Sequence, residues 1–213
     1  QYVADVEALM AELGIERFVA IGTSLGGLMT MLLAQRGAQR LAGAVLNDIG
    51  PAIEPGGLEK IRAYVGQGRS FPTWMHAARA LQETHSDAHP GYQLEDWLQA
   101  AKRVMVLGQN GRISFDYDMA IGDTFREGED AGGAPADNLW LAFESLADTP
   151  LLLVRGELSD LLSPDTVRQM KTRNRAMEIV TVPKTGHAPT LDEPEAVAAI
   201  DALLARVRTR ENA

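Results

Sequence analysis

The sequence predicts an α/β fold: a mostly parallel sheet flanked by helices, with a helical cap inserted between strands. Two observations carry that prediction. Short apolar runs of strand length alternate with helix-patterned segments near both ends of the chain, and "LAGAVLN" (41–47) is apolar enough for burial on both faces. The stretch 51–149 breaks the alternation and is patterned almost wholly as helix. The chain therefore divides into an α/β core at 1–50, a cap at 51–149 and a return to the core at 150–213.

Taken in order, "YVADVEALMAEL" places Val3, Val6, Leu9, Met10 and Leu13 at helical spacing, and Gly14 is a suitable left-handed stop. "RFVAI" is a short strand, and Leu25 to Ala34 is apolar nearly all round, as a helix buried in a larger domain is. In the cap, "GLEKIRAYVG", "TWMHAARALQETH", "LEDWLQAAKRVMVL" and "DNLWLAFESL" read as helices, and "RISFDYD" is the one strand-like piece. Turn-rich links, "SDAHPGY", "GQNGR" and "REGEDAGGAPAD", separate them. The alternation then resumes with the strand "PLLLVRG" and the helix "SPDTVRQMKTR", capped by Ser163 with Pro164 at its first position. The strand "MEIVTVP" and a last helix opened by Pro194 complete the pattern.

Composition removes several function classes. A net charge of −9 lacks the basic footprint that nucleic-acid binding requires. With no cysteine, thiolate zinc sites, iron–sulfur clusters, disulfides and a cysteine nucleophile are excluded, and a reducing, cytoplasmic location fits. No apolar run reaches the roughly 20 residues that span a bilayer, so no membrane partner is expected. "GTSLGG" is no phosphate loop, since it lacks the lysine that reaches phosphates, and no metal or other cofactor is expected.

The same stretch carries the chemistry. Gly22-Thr23-Ser24-Leu25-Gly26 joins a strand to a buried helix, where a sharp turn pushes Ser24 outward and aims the next N–H into the same space. Both glycines are expected to be small because a side chain would crowd the junction. A serine needs a base, and the base needs a carboxylate to hold its tautomer. Of the four histidines, His76, His85 and His89 fall in the cap and read as surface or packing residues. His187, in "VPKTGHAPTLDEP", follows the last strand and so lies at the C-terminal ends of the strands, the ligand face of an open parallel sheet. For the carboxylate, Asp160 in "GELSDLLSPD" is the first choice and Asp48 in "LNDIGP" the alternative. Glu157 lies early in that loop, and Asp165 sits where it favours the helix dipole.

Serine, acid and histidine in that chain order, each behind a parallel strand, resemble the α/β-hydrolase superfamily, specifically its capped serine hydrolases of esterase or lactonase type. The resemblance covers nearly the whole chain and implies Ser24 as nucleophile, Asp160 as orienting acid and His187 as general base and then acid. It implies the Leu25 backbone N–H as one oxyanion donor. Serine at the elbow, where haloalkane dehalogenases and epoxide hydrolases carry aspartate, points to esterases, lactonases and C–C bond hydrolases.

The superfamily's sheet has several strands before the elbow strand, and an early loop, usually with His-Gly, that supplies the second oxyanion donor. Neither is in this sequence, which resembles the C-terminal two-thirds of such an enzyme. The elbow strand is expected to be an exposed edge. A preceding segment outside this sequence, another polypeptide or a second copy of the chain would complete it, and the first is favoured. A homo-oligomer stays open on the same ground.

Trp74, Met75, Trp97, Met105, Trp140 and Phe143 line an apolar pocket or, as aromatics at helical spacing more often do, form core. No cationic cluster marks an anionic substrate. The expected activity is cleavage of small or medium apolar esters through an acyl-enzyme. C–C hydrolysis, lactone hydrolysis or perhydrolysis by the same residues, or a non-catalytic binding role, are the alternatives.

Overall fold

The computed structural model describes residues 1–123 and 136–212. Its elements are α1 (Tyr2–Glu12), β1 (Phe18–Thr23), α2 (Leu25–Gly37), β2 (Leu41–Asn47), α3 (Pro55–Tyr64), β3 (Ser70–Phe71), α4 (Trp74–His85), α5 (Leu94–Val104), β4 (Met105–Leu107) and β5 (Ile113–Phe115). They continue as α6 (Ala136–Glu144), β6 (Leu151–Gly156), α7 (Pro164–Arg173), β7 (Glu178–Val182) and α8 (Pro194–Glu211). The chain forms two compact units, Gln1–Pro55 with Ala134–Ala213, and Gly56–Gly133.

In the first unit β1-β2-β6-β7 form a parallel four-stranded sheet. The central strands β2 and β6 are buried along their whole length, which is why "LAGAVLN" and "LLLVRG" are so apolar. Val45, Leu152, Val154 and Val182 pack with Ala196, Leu203 and Val207 of α8. Strand alternation turns Ala44, Leu46 and Leu153 to the opposite face, where they too are fully buried. Each such valine or leucine side chain contributes about 1.5–3 kcal/mol of transfer free energy.

β1 is an edge strand, with Ile21 half exposed, and of the stripe predicted on α1 only Met10 is buried. Leu9 and Leu13 face solvent, and among the described residues no strand pairs with the outer side of β1. Gly14 takes the expected positive φ of 66° after α1. Ser163 caps α7 through the Thr166 N–H, with Pro164 at its start.

Three expectations for the cap need correcting. "DNLWLAFESL" is not a cap helix: α6 belongs to the first unit and packs on α2, with Ala142, Phe143 and Leu146 fully buried. "LEDWLQAAKRVMVL" is not one helix, since α5 stops at Val104 and Met105–Leu107 become a strand. "RISFDYD" is therefore not alone; β5 pairs antiparallel with β4 and with Ser70–Phe71 in a three-stranded sheet. The physical reason lies in "GQNGR", a tight hairpin turn with Gly111 at positive φ and Asn110 accepting the Arg112 N–H. Cross-strand pairing of Leu107 with Ile113 then outweighs helix continuation. The link "REGEDAGGAPAD" lies, apart from Ala136 and Asp137, outside the described residues.

The second unit has its own core. Phe71, Ala77, Leu81, Trp97, Ala101, Met105 and Ile113 cluster, with Trp74 packed against them. His89 stacks on Tyr92, and His85 meets Tyr64 edge to face. Burial, then the neighbouring His89, lowers the pKa of His85 from its ordinary 6.5. A histidine whose folded pKa is depressed contributes full stability above its unfolded value. That contribution declines as pH falls through about 6.5, because the unfolded chain takes up the proton first, and levels off below the folded value. Thermal melts at pH 7.5 and 5.5 should therefore show a smaller gap for His85→Gln than for the unaltered protein; an unchanged gap would refute it.

Candidate active site

All the sequence-predicted site residues sit beyond the C-terminal ends of the parallel strands. Ser24 follows β1, Asp48 follows β2, Asp160 lies in the loop after β6, and His187 in the loop after β7. Parallel register alone brings the first two ends level, Thr23 opposite Asn47.

Ser24 adopts φ 51° and ψ −117°, outside the conformations a serine prefers, and its side chain makes no capping bond to α2. Its backbone is held on both sides. The Ser24 N–H donates to the Asn47 carbonyl at 3.1 Å, and its own carbonyl accepts from Gly27 and Leu28. A Cβ at Gly22 would lie 2.4 Å from the Gly26 carbonyl carbon, so no side chain fits there. The expectation for Gly26 is corrected: its own Cβ would meet nothing within 4 Å. The second crowded position is Gly27, where a Cβ would stand 2.2 Å from Ile49 Cγ2. Leu25 is the first residue of α2, so its N–H belongs to the helix's N-terminal donors.

The carboxylate that meets His187 is Asp48, the alternative, and not Asp160, the first choice. His187 Nδ1 lies 2.9 Å from Asp48 Oδ2, whereas Asp160 is exposed. Asp48 is wholly buried and, like Ser24, has a positive φ, 54°. Its Oδ1 accepts the Gly156 N–H at 2.8 Å, and its Oδ2 also accepts from Ser159 Oγ at 2.6 Å. A carboxylate can only accept, so the His187 bond places that ring's proton on Nδ1 and leaves Nε2 as the basic nitrogen. Gly156 is crowded too, because a Cβ there would lie 2.4 Å from the Thr185 carbonyl oxygen. The histidine loop thus runs directly against β6.

Asn47 was not singled out from the sequence. Fully buried, it donates from Nδ2 to Thr23 Oγ1 at 3.0 Å and to the Pro189 carbonyl at 2.8 Å, tying the serine turn to the histidine loop. The available signal was the polar pair Asn47-Asp48 closing a wholly apolar central strand. Glu157 does line its loop, its Oε2 accepting the Lys184 N–H, and Asp165 pairs with Arg168 on α7. Of the aromatic and methionine candidates, Trp97 and Met105 are core of the second unit, Phe143 is core of the first, Trp140 lies under the Arg173 guanidinium, and Met75 is partly exposed. No group of acidic or histidine side chains suited to a metal occurs among the described residues. None of the described helices is long and apolar enough to cross a membrane.

A strained serine between a parallel strand and a buried helix, with a buried Asp–His pair on the same end of the sheet, defines the architecture of an α/β hydrolase. The chain belongs to the alpha/beta hydrolase family, whose model matches residues 1–200. A 3-hydroxybutyrate-oligomer hydrolase of Cupriavidus necator is 37% identical over 202 residues, 93% of this chain and 68% of that protein. The crystal structure of an alpha/beta hydrolase from Novosphingobium aromaticivorans superposes with a TM-score of 0.88 at 57% identity, covering 97% of this chain and 71% of that one. An esterase from Mycobacterium tuberculosis shares the fold at 21% identity, with a TM-score of 0.67 over 96% of this chain and 66% of that one.

Proposed function

We propose that the protein is a serine esterase in which Ser24 is the nucleophile, His187 the general base and then acid, and Asp48 the orienting carboxylate. The observation that carries this reading is the 2.9 Å bond from His187 Nδ1 to the buried Asp48, on the sheet end where Ser24 is held in its strained turn. As His187 Nε2 takes the Ser24 proton, Oγ adds to the ester carbonyl. The Leu25 N–H stabilises the resulting oxyanion. His187 then returns the proton to the departing alkoxide, leaving an acyl-serine and a free alcohol. Water, deprotonated by the same nitrogen, attacks the acyl-serine, and His187 returns that proton to Ser24 Oγ as its bond to the acyl group breaks and the acid is released.

The substrate class proposed is short esters of 3-hydroxy acids and their linear oligomers. The support is the similarity to the Cupriavidus necator protein, which is named for hydrolysing 3-hydroxybutyrate oligomers. Ser24→Ala is expected to lower kcat on a 3-hydroxybutyrate dimer by about 10⁴ or more, and to abolish the adduct that a fluorophosphonate probe leaves on the unaltered chain. Undiminished turnover by Ser24→Ala would end the reading. Turnover of simple acyl esters with none of the dimer would end only the substrate assignment.

A further inference from the structure

We infer that Ser159 is a positioning residue for the Asp48–His187 pair, an inference that rests on the proposed roles of Ser24, His187 and Asp48. Ser159 lies half-buried in the loop after β6, and its Oγ is 2.6 Å from Asp48 Oδ2, the same oxygen that His187 Nδ1 approaches. The direction of the hydroxyl proton follows from its other partners. Oγ accepts the Leu162 N–H at 3.1 Å and the Leu161 N–H at 3.4 Å. Both are donors only, so the hydroxyl proton is left to point at the carboxylate.

The loop carrying Ser159 is itself fixed. Arg155, buried at the end of β6, donates through Nε to the Leu162 carbonyl at 3.0 Å, and its Nη1 lies 3.4 Å from the Glu157 carbonyl. One guanidinium thus clamps the loop on both sides of Ser159. The Asp48 carboxylate is held at Oδ1 by the Gly156 N–H and at Oδ2 by Ser159. Ser159 occupies one acceptor direction of Oδ2 and leaves the other for His187. Without it, the Gly156 N–H is the one donor besides the imidazole that orients the carboxylate, and Oδ2, which meets the imidazole, loses the bond that aligns it with Ser24. Charge-assisted hydrogen bonds of this kind are the ones that set geometry most firmly.

The expected result is that Ser159→Ala lowers kcat about tenfold with KM changed less than twofold, since the loss falls on the chemical step. Ser159→Thr, which keeps the hydroxyl, should restore most of it, and Ser159→Cys, a weak donor, should fall between. A second readout does not depend on turnover: the downfield proton resonance of His187 Nδ1–H is expected to shift in Ser159→Ala, measured both in the unaltered background and in Ser24→Ala. A shift there, even with Ser24→Ala fully active, would leave the Ser159 assignment standing while the hydrolase reading fell. An unmoved resonance with unaltered kcat would overturn the positioning role, whatever happened to the melting temperature.

Discussion

Asp48→Asn is expected to lower kcat by about 10⁴, while Asp160→Asn stays within about tenfold of the unaltered protein. The reason is hydrogen-bond polarity rather than lost charge alone. An asparagine at 48 keeps one oxygen for the Gly156 N–H, but its amide nitrogen then faces both Ser159 Oγ and His187 Nδ1. Two donors cannot face each other, so the imidazole proton moves to Nε2 and the ring loses the lone pair that Ser24 requires. A loss of 10⁴ corresponds to about 5.4 kcal/mol of transition-state stabilisation. Asp160 is exposed and does not stand at Nδ1 in this structure. Steady-state kinetics of the two variants decide the matter, and an inactive Asp160→Asn beside an active Asp48→Asn would reverse the assignment.

A comparably large effect is expected on the fold from Gly22→Ala, which should cost about 3 kcal/mol and lower the melting temperature by about 6–12 °C. The clash is with backbone: the added carbon would meet the Gly26 carbonyl at 2.4 Å and the Gly27 nitrogen at 2.6 Å, and neither can rotate away. Relief requires β1 and α2 to separate at the turn that holds Ser24, so activity should fall with stability. Gly26→Ala is the contrasting variant. Its Cβ meets nothing within 4 Å, and alanine favours the helix by up to about 1 kcal/mol, so the melting temperature should hold or rise. Equal destabilisation by the two substitutions would contradict this account of the turn.

The two variants at 22 and 26 also mark where sequence reading runs out. GxSxG names two glycines, but a side chain at position 26 meets nothing, and the crowding at Gly27 arises from Ile49, two residues beyond the C-terminal end of β2. The carboxylate shows the same limit. From the alternation of strands and helices, both Asp48 and Asp160 fall on the ligand end of the sheet. Which one faces His187 depends on how the loop after β6 turns, and Arg155 sets that turn by binding carbonyls at 157 and 162. As a result the loop offers Ser159, not Asp160, to Asp48.

By itself the sequence determined the α/β architecture, the serine turn and the placement of His187 behind the last strand. These follow from local pattern: apolar period, glycine at a strand–helix junction, and chain order in a parallel sheet. Only the tertiary structure decided the partner of His187, the helix at 136–144 as part of the first unit, and the strand at 105–107. The first two rest on contacts between residues distant in sequence, Asp48 with His187 and α2 with α6, and the third on pairing with 113–115 across the hairpin turn at 108–112. A side chain's direction at the end of a strand is fixed by long-range contacts of that kind, and no local pattern encodes them.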